Sequence, residues 1–246
     1  MSMDKVILIA GASGEIGAAT ARSLAAPDTM VYLGYNSNSC KADELADEIL
    51  GMNCKAAAIQ LDLSDASVIN DVCQKIFDKE NRLTSLINCA AINIESAALG
   101  MEDDIWDKVI DVNLDGAFKL SRAAARYIML SGGGQIVHMS SIAGSYGGRG
   151  QINYASAKAG LEAMVRVLAL ELGRKKVQVN CIAPGIIETE MSERVRKEYG
   201  KELLSHVAMR RFGKPEEIAE VVKFLVSESA SYITGQVIHV NGGMGL

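Results

Sequence analysis

In the stretch QINYASAKAGL a phenol, Tyr154, stands four residues ahead of an amine, Lys158, among small and apolar residues. Four residues is one helical turn, so in a helix the two side chains share a face. A phenol with an ordinary pKa of about 10 is a sluggish acid near neutrality. A cation on its face favours the phenolate, and a lowering of about three units corresponds to about 4 kcal/mol of differential stabilisation. The pair suits a general acid working on a carbonyl oxygen that gains negative charge. Any amphipathic helix can also carry Tyr and Lys at this spacing, so the pair gains meaning only from its surroundings.

A second stretch, AGASGEIGAA, spaces Gly11, Gly14 and Gly17 three apart between an apolar run and an amphipathic one. Glycine permits a tight turn and close backbone approach to a pyrophosphate, which a helix N-terminus stabilises with free N–H groups and its dipole. The spacing is not G-x-G-x-x-G, and glycines that only allow a turn and helix packing would look alike.

The elements that would hold these residues follow from periodicity. KVILIA, MVYLGY, KAAAIQL, SLINCA, QIVHMSS, VQVNCIA and GQVIHV are short apolar runs that predict strands. Between them EIGAATARSLA, KADELADEIL, DASVINDVCQKIFDK, residues 103–130 and YASAKAGLEAMVRVLALELG have helical spacing. Apolar strands alternating with helices predict an α/β fold, a single-domain doubly wound parallel sheet of Rossmann-like type with helices on both faces. Ligands then bind beyond the carboxyl ends of the strands. The whole of 1–246 is expected as one unit, with an irregular segment at about 186–213 as a substrate lid.

Composition excludes several classes. The chain has 246 residues, 49% hydrophobic and 22% charged, and its 25 basic and 30 acidic residues give a net charge of −5. Without a Lys/Arg block or many aromatics, nucleic acid is not an expected partner. MSMDKVILIA has no basic flank or signal-length core and no run approaches a membrane span, so a cytoplasmic location is expected. Cysteines at 40, 54, 73, 89 and 181 are scattered and never form CxxC, which suits reduced thiols and no metal. Cys89 has no histidine nearby in sequence and is not expected as a nucleophile.

Motifs in fixed order supply the context for Tyr154 and Lys158: GASGEIG, LDLS, NCAA, DVNLDGAF, MSSIAG, YASAK, NCIAPGIIET, RRFGKPEEIAEVVKFL and ITGQVIHVNGGM. With them the chain resembles the short-chain dehydrogenase/reductase family over essentially its whole length. It is most similar there to bacterial 3-oxoacyl-[acyl-carrier-protein] reductases. The resemblance implies that Ser141, thirteen residues ahead of Tyr154, hydrogen-bonds the substrate carbonyl. It makes Tyr154 the general acid. Lys158 lowers its pKa and binds the nicotinamide ribose, and Asn113 holds a water that relays protons to Lys158. For the cofactor it implies Gly11, Ser13, Gly14, Ile16 and Gly17 at the pyrophosphate, and Asp62 with Leu63 at the adenine. Asn88 and Ala90 follow in NCAA, Pro184 and Gly185 wall the nicotinamide, and Ile187 and Thr189 contact its carboxamide.

Some positions depart from the family pattern. Ala10 replaces the usual Thr, Glu15 the second loop glycine, and Gly14 stands where many NADP-dependent relatives carry Arg. GYNSN lacks the acid that would bond a ribose 2′-hydroxyl and reject a 2′-phosphate. NADP(H) is therefore favoured, with Asn36 and Ser37 near the 2′-phosphate, and NAD(H) remains possible.

The apolar stretch 161–172 and the helix ending FKLSRAAARYIML have more to bury than one sheet face covers, and the resemblance makes the assembly a homotetramer. GRKK at 173–176, with Lys119, Arg122 and Arg126, offers positive charge to an acidic acyl carrier protein. The expected reaction is reduction of a carrier-bound 3-oxoacyl thioester with NADPH, in fatty-acid or polyketide-like biosynthesis. A dehydrogenase of a free secondary alcohol or ketone, of sugar or steroid type, is the alternative. A dinucleotide-sensing scaffold without turnover has no need of a Ser141, Tyr154 and Lys158 set.

Overall fold

The computed structural model describes residues 4–245, so residues 1–3 and 246 of the expected unit lie outside the described residues. Seven strands form one parallel sheet: β1 (Lys5–Ala10), β2 (Thr29–Tyr35), β3 (Lys55–Gln60), β4 (Ser85–Asn88), β5 (Gly134–Met139), β6 (Val177–Pro184) and β7 (Val237–Val240). Each corresponds to one of the seven apolar runs. Parallel pairing forces every connection to cross over the sheet, so helices cover both faces and the inner strands β1, β2, β4 and β6 are buried on both sides.

The covering helices are α1 (Glu15–Leu24), α2 (Ser39–Gly51), α3 (Ala66–Glu80), α4 (Asp103–Ile110), α5 (Gly116–Leu130), α6 (Ile142–Tyr146), α7 (Ile152–Leu172), α8 (Glu190–Ser205) and α9 (Pro215–Leu225). Val6, Leu8 and Ala10 of β1 pack with Ile69, Leu120 and Val165 on the layer of α3, α5 and α7. Ile7 and Ile9 pack with Ala21, Leu45, Ile218 and Val222 on the layer of α1, α2 and α9. Each fully buried Ile or Leu in these layers contributes about 1.5–3 kcal/mol of transfer free energy.

The strand order is 3-2-1-4-5-6-7. Chain progression reverses between β1 and β4, and a doubly wound sheet opens its ligand crevice at that reversal, beyond the strands' carboxyl ends. The glycine turn after β1 and the NCAA segment after β4 flank it.

Residues 103–130 are helical throughout, as their spacing predicts, with α4 and α5 joined by a single π-turn, Asp111–Asp115, in which Gly116 N–H donates to Asp111 O. One stretch differs from expectation. The segment expected as irregular contains α8, 16 residues long. Its base is closed by Glu188 N–H on Gly213 O (2.8 Å) and Gly213 N–H on Ile186 O (3.0 Å). No helix of the described residues is long and apolar enough to cross a membrane.

Candidate active site

The turn from β1 into α1 is shaped by two glycines that nothing else could replace. Gly11 has φ +74°, and a Cβ there would lie 2.6 Å from Ala90 N; a Cβ on Gly17 would lie 2.2 Å from Gly11 O. β1 and β4 therefore approach to backbone contact at the reversal point. Gly14 differs: its φ is −87° and it is the N-cap of α1, yet no side chain caps the helix. The first-turn N–H groups, including that of Ile16, face the crevice without a protein cap, beside half-buried Ser13. This uncapped, glycine-walled N-terminus fits a pyrophosphate. Glu15, the one anion in the turn, points away: its Oε1 accepts from the Glu190 N–H at 2.7 Å.

On the far side of the crevice, α7 presents Tyr154 and Lys158 one turn apart, as their spacing predicts. Tyr154 is 9% and Lys158 1% exposed. Lys158 Nζ donates to Met139 O at 2.7 Å and lies 5.4 Å from the centre of the Tyr154 ring. Burial lowers Lys158 to about 8. Burial pushes Tyr154 up to about 12, and the Ser141 hydroxyl pulls it partly back. In the chain alone the phenol thus moves opposite to the lowering expected from its neighbouring cation, because desolvation acts on all of the ring and outweighs one charge held by Met139 O.

Ser141 ends the loop after β5 and is the N-cap of α6, its Oγ accepting from Ala143 N–H at 3.1 Å. With its lone pair so engaged, its own proton is free to donate toward the phenol or a ligand. The preceding Ser140 turns inward to Glu162 Oε1 at 2.7 Å, which leaves Ser141 as the hydroxyl beside the Tyr154 phenol. Beside Ser141 a cleft runs between α6 and the lid, lined by Ile142, Tyr146, Val207 and Met244.

Asn113 sits in the π-turn, and its side chain pairs with the Ile92 backbone: Oδ1 accepts from Ile92 N–H (2.9 Å) and Nδ2 donates to Ile92 O (2.7 Å). One Nδ2 hydrogen and one Oδ1 lone pair are left over from this pair of bonds. π-turns interrupt the helical ladder and recur at functional sites, and this one carries Asn113.

The remaining expected residues lie at or after the carboxyl ends of the strands. Asn36 and Ser37 follow β2 and are exposed. Asp62 follows β3 and holds Ser64 through its N–H (2.9 Å) and hydroxyl (2.7 Å), beside buried Leu63. Pro184 ends β6, and Gly185 packs so tightly on Asn241 that a Cβ would lie 2.8 Å from its Cα. Ile187 is 6% exposed and belongs to the core cluster under α9, so it anchors the lid from within. Thr189 is the N-cap of α8, its Oγ donating to Ile187 O at 3.4 Å. Cys89 is partly buried, and desolvation pushes its thiol up to about 12, which makes it inert as a nucleophile. No group of three His, Cys, Asp or Glu among the described residues is arranged to hold a metal.

The sequence reading missed one supporting chain. His138 in β5 is fully buried between Asn88 Nδ2 (3.3 Å) and Ser121 Oγ (2.8 Å), and Ser121 donates on to Ala117 O (2.6 Å). Asn88 Nδ2 can only donate, so His138 accepts at Nδ1 and carries its proton on Nε2. Burial and the charge of Lys158 press its pKa down to about 3, which keeps it neutral. The chain orients Asn88, whose Oδ1 accepts from Ala90 N–H at 3.2 Å and sets the turn against Gly11. A histidine within an otherwise apolar strand was the available signal.

Comparison with known proteins agrees with this architecture. Residues 10–245 match a family model described as enoyl-(acyl carrier protein) reductase. A 3-oxoacyl-[acyl-carrier-protein] reductase from Thermotoga maritima is 39% identical over 98% of this chain and 97% of its own length. The Escherichia coli enzyme of the same name is 38% identical over 98% and 97%. Among solved structures, a short-chain type dehydrogenase/reductase from Mycobacterium ulcerans superposes with a TM-score of 0.91 at 27% identity, covering 99% of this chain and 90% of that one. With a family model matched over residues 10–245 and relatives 38–39% identical along nearly the whole chain, the chain belongs to the short-chain dehydrogenase/reductase family.

Proposed function

We propose that the protein reduces a 3-oxoacyl thioester, carried on acyl carrier protein, to the 3-hydroxyacyl form with NADPH. The observation that carries the reading is the buried Tyr154 phenol with the Ser141 hydroxyl and Lys158 ammonium beside it, opposite the uncapped N-terminus of α1. The family's nicotinamide dinucleotide, when bound, supplies hydride to the ketone carbon. Everything else falls to this chain. Gly11, Gly14 and Gly17 admit the pyrophosphate, and Asp62, Leu63, Asn88, Ala90, Pro184 and Gly185 line the rest of the dinucleotide.

Tyr154, at about 12, is fully protonated near neutrality and so is loaded as an acid before substrate arrives. Ser141 donates to the ketone oxygen, and Tyr154 transfers its proton as that oxygen becomes an alkoxide. The Lys158 ammonium then faces a phenolate, and a proton returns through Lys158 and a water held by Asn113. The absence of an acid after β2 favours NADPH over NADH. The cleft between α6 and the lid takes the acyl chain through Ile142, Tyr146, Val207 and Met244.

Exposed Arg174, Lys175 and Lys176 offer a surface for an acidic carrier. Phe118 and Leu130 on α5 and Val167 and Leu170 on α7, all more than two-fifths exposed, support a homotetramer built from these two helices. The reading implies a cytoplasmic enzyme.

The test is oxidation of NADPH, and separately NADH, followed by absorbance with acetoacetyl-pantetheine and acetoacetyl-carrier protein. Crotonyl thioester serves as the enoyl arm suggested by the family model's description. The proposal expects fastest turnover with NADPH and the carrier-bound 3-oxo substrate, and loss of turnover without loss of cofactor binding in Tyr154→Phe. Turnover of crotonyl thioester alone, or silence with both 3-oxo substrates while cofactor binds, overturns it.

A further inference from the structure

Glu15 is the residue of the glycine turn that fits a dinucleotide site worst, since a carboxylate beside a pyrophosphate is repelled. The structure gives it other work. Its Oε1 accepts at 2.7 Å from the backbone N–H of Glu190, the first residue of α8 and 175 positions away. That N–H is one of the donors a helix leaves unpaired at its start. The capping box between Thr189 and Ser192 serves the N–H groups of those two residues, and the Thr189 Oγ also donates backward to Ile187 O, which leaves the Glu190 N–H to Glu15. The carboxylate therefore gains both a hydrogen bond and the favourable end of the α8 dipole.

α8 needs such a hold. None of its 16 residues is buried. Its apolar anchors lie outside it, at Ile187 (6% exposed) before and Val207 (3%) after. Between them the helix is tied to the body by polar contacts: Glu15 and Lys41 on the cofactor side, Lys41 Nζ meeting Glu190 Oε2 at 3.4 Å, and Glu95 paired with Arg194 on the opposite wall. Exposed ion pairs such as the last two contribute little. The Glu15 cap is the contact with both a dipole and a neutral backbone donor behind it.

We propose that Glu15 is a positioning residue that latches the lid helix α8 to the dinucleotide turn. Seating a pyrophosphate at the start of α1 and docking the lid over the substrate then share one side chain. The two anions repel across the turn, so an arriving pyrophosphate drives the carboxylate onto the Glu190 N–H and tightens the lid. The coupling to cofactor rests on the reading of that turn as the dinucleotide site; the latch itself does not.

The test is limited trypsin digestion of the full chain, with and without NADPH, scoring cuts at Arg194, Arg196, Lys197 and Lys201 within α8 by mass. Local opening sets the rate of such cuts. Glu15→Ala is expected to be cut in α8 about fivefold faster than the natural chain without cofactor. Glu15→Gln, which keeps an acceptor oxygen, restores the slow rate, but NADPH slows it no further, whereas NADPH does slow the natural chain.

Glu190→Pro deletes the donor itself. Proline is at home at the first helical position, and Thr189 is already extended at φ −134°, ψ 165°, as the residue before a proline should be. That variant should match Glu15→Ala, and combining the two should add nothing. Glu190→Ala, which keeps the N–H, should stay within twofold of the natural chain. A Glu15→Ala lid cut at the natural rate, or additive effects in the double variant, overturns the latch. Failure of the natural chain to bind NADPH in a fluorescence titration instead removes the cofactor reading, while the cofactor-free digests still decide the latch.

Discussion

Replacing Lys158 by Met separates what the site needs from what the fold needs. Burial lowers Lys158 from 10.5 to about 8, so holding its charge inside the folded chain at pH 7 costs about 3 kcal/mol. Met keeps the length and apolar stem of the side chain without the charge. It forfeits the donation to Met139 O, a loss of about 1–2 kcal/mol. The variant should therefore be more stable than the natural chain by about 1–2 kcal/mol at pH 7 and inactive at every pH. The unfolded chain holds the lysine proton up to about 10.5 and the folded chain only to about 8. Between those values the unfolded state binds more protons, and the natural chain gains stability as pH rises. The advantage of Lys158→Met should then shrink by about 2 kcal/mol between pH 7 and 9.5. Urea denaturation of both chains at matched concentration and at the two pH values measures this, since groups common to both cancel. A less stable variant at pH 7, or a gap equal at both pH values, would refute the reasoning.

Two glycines give opposite expectations. Gly11→Ala forces a non-glycine residue to φ +74° with its Cβ 2.6 Å from Ala90 N; stability should fall by about 1–3 kcal/mol and the NADPH dissociation constant should rise at least tenfold, by denaturation and fluorescence titration. Gly14→Arg meets no atom nearer than 3.5 Å and has an ordinary φ of −87°. Its stability should stay within about 0.5 kcal/mol of the natural chain, while the preference for NADPH over NADH in kcat/KM rises about tenfold. An unchanged preference would remove the 2′-phosphate from the neighbourhood of this turn.

The sheet was legible because strands buried on both faces are written as unbroken apolar runs, and all seven appear where KVILIA through GQVIHV lie. Helix α8 was not, although Met191, Val195, Tyr199 and Leu203 recur every four residues. Its sequence lacks a face committed to the core, and the structure gives it none, so periodicity tuned to burial passes over it. The π-turn at Asp111–Asp115 leaves no mark in side-chain pattern at all. It is one residue of backbone register, absorbed between two helices that each continue their own apolar stripe.

The site divides along the same line between what is local and what is summed over space. Which residues meet is local: four positions on a helix, a glycine every third position, a serine ending a strand. Their electrostatics are not. Tyr154 at about 12 and Lys158 at about 8 are displaced from their ordinary values in opposite directions by one cause, exclusion of water by β5, β6 and α7 together, which no spacing encodes. Under the proposed reduction, that displacement has a mechanistic sense. It keeps the acid protonated and a cation beside it that is charged at a cost, and a phenolate formed by proton transfer gives that cation a partner of opposite sign. The free energy stored in the buried ammonium is recovered only as the phenol ionises, which is the moment the reaction needs it.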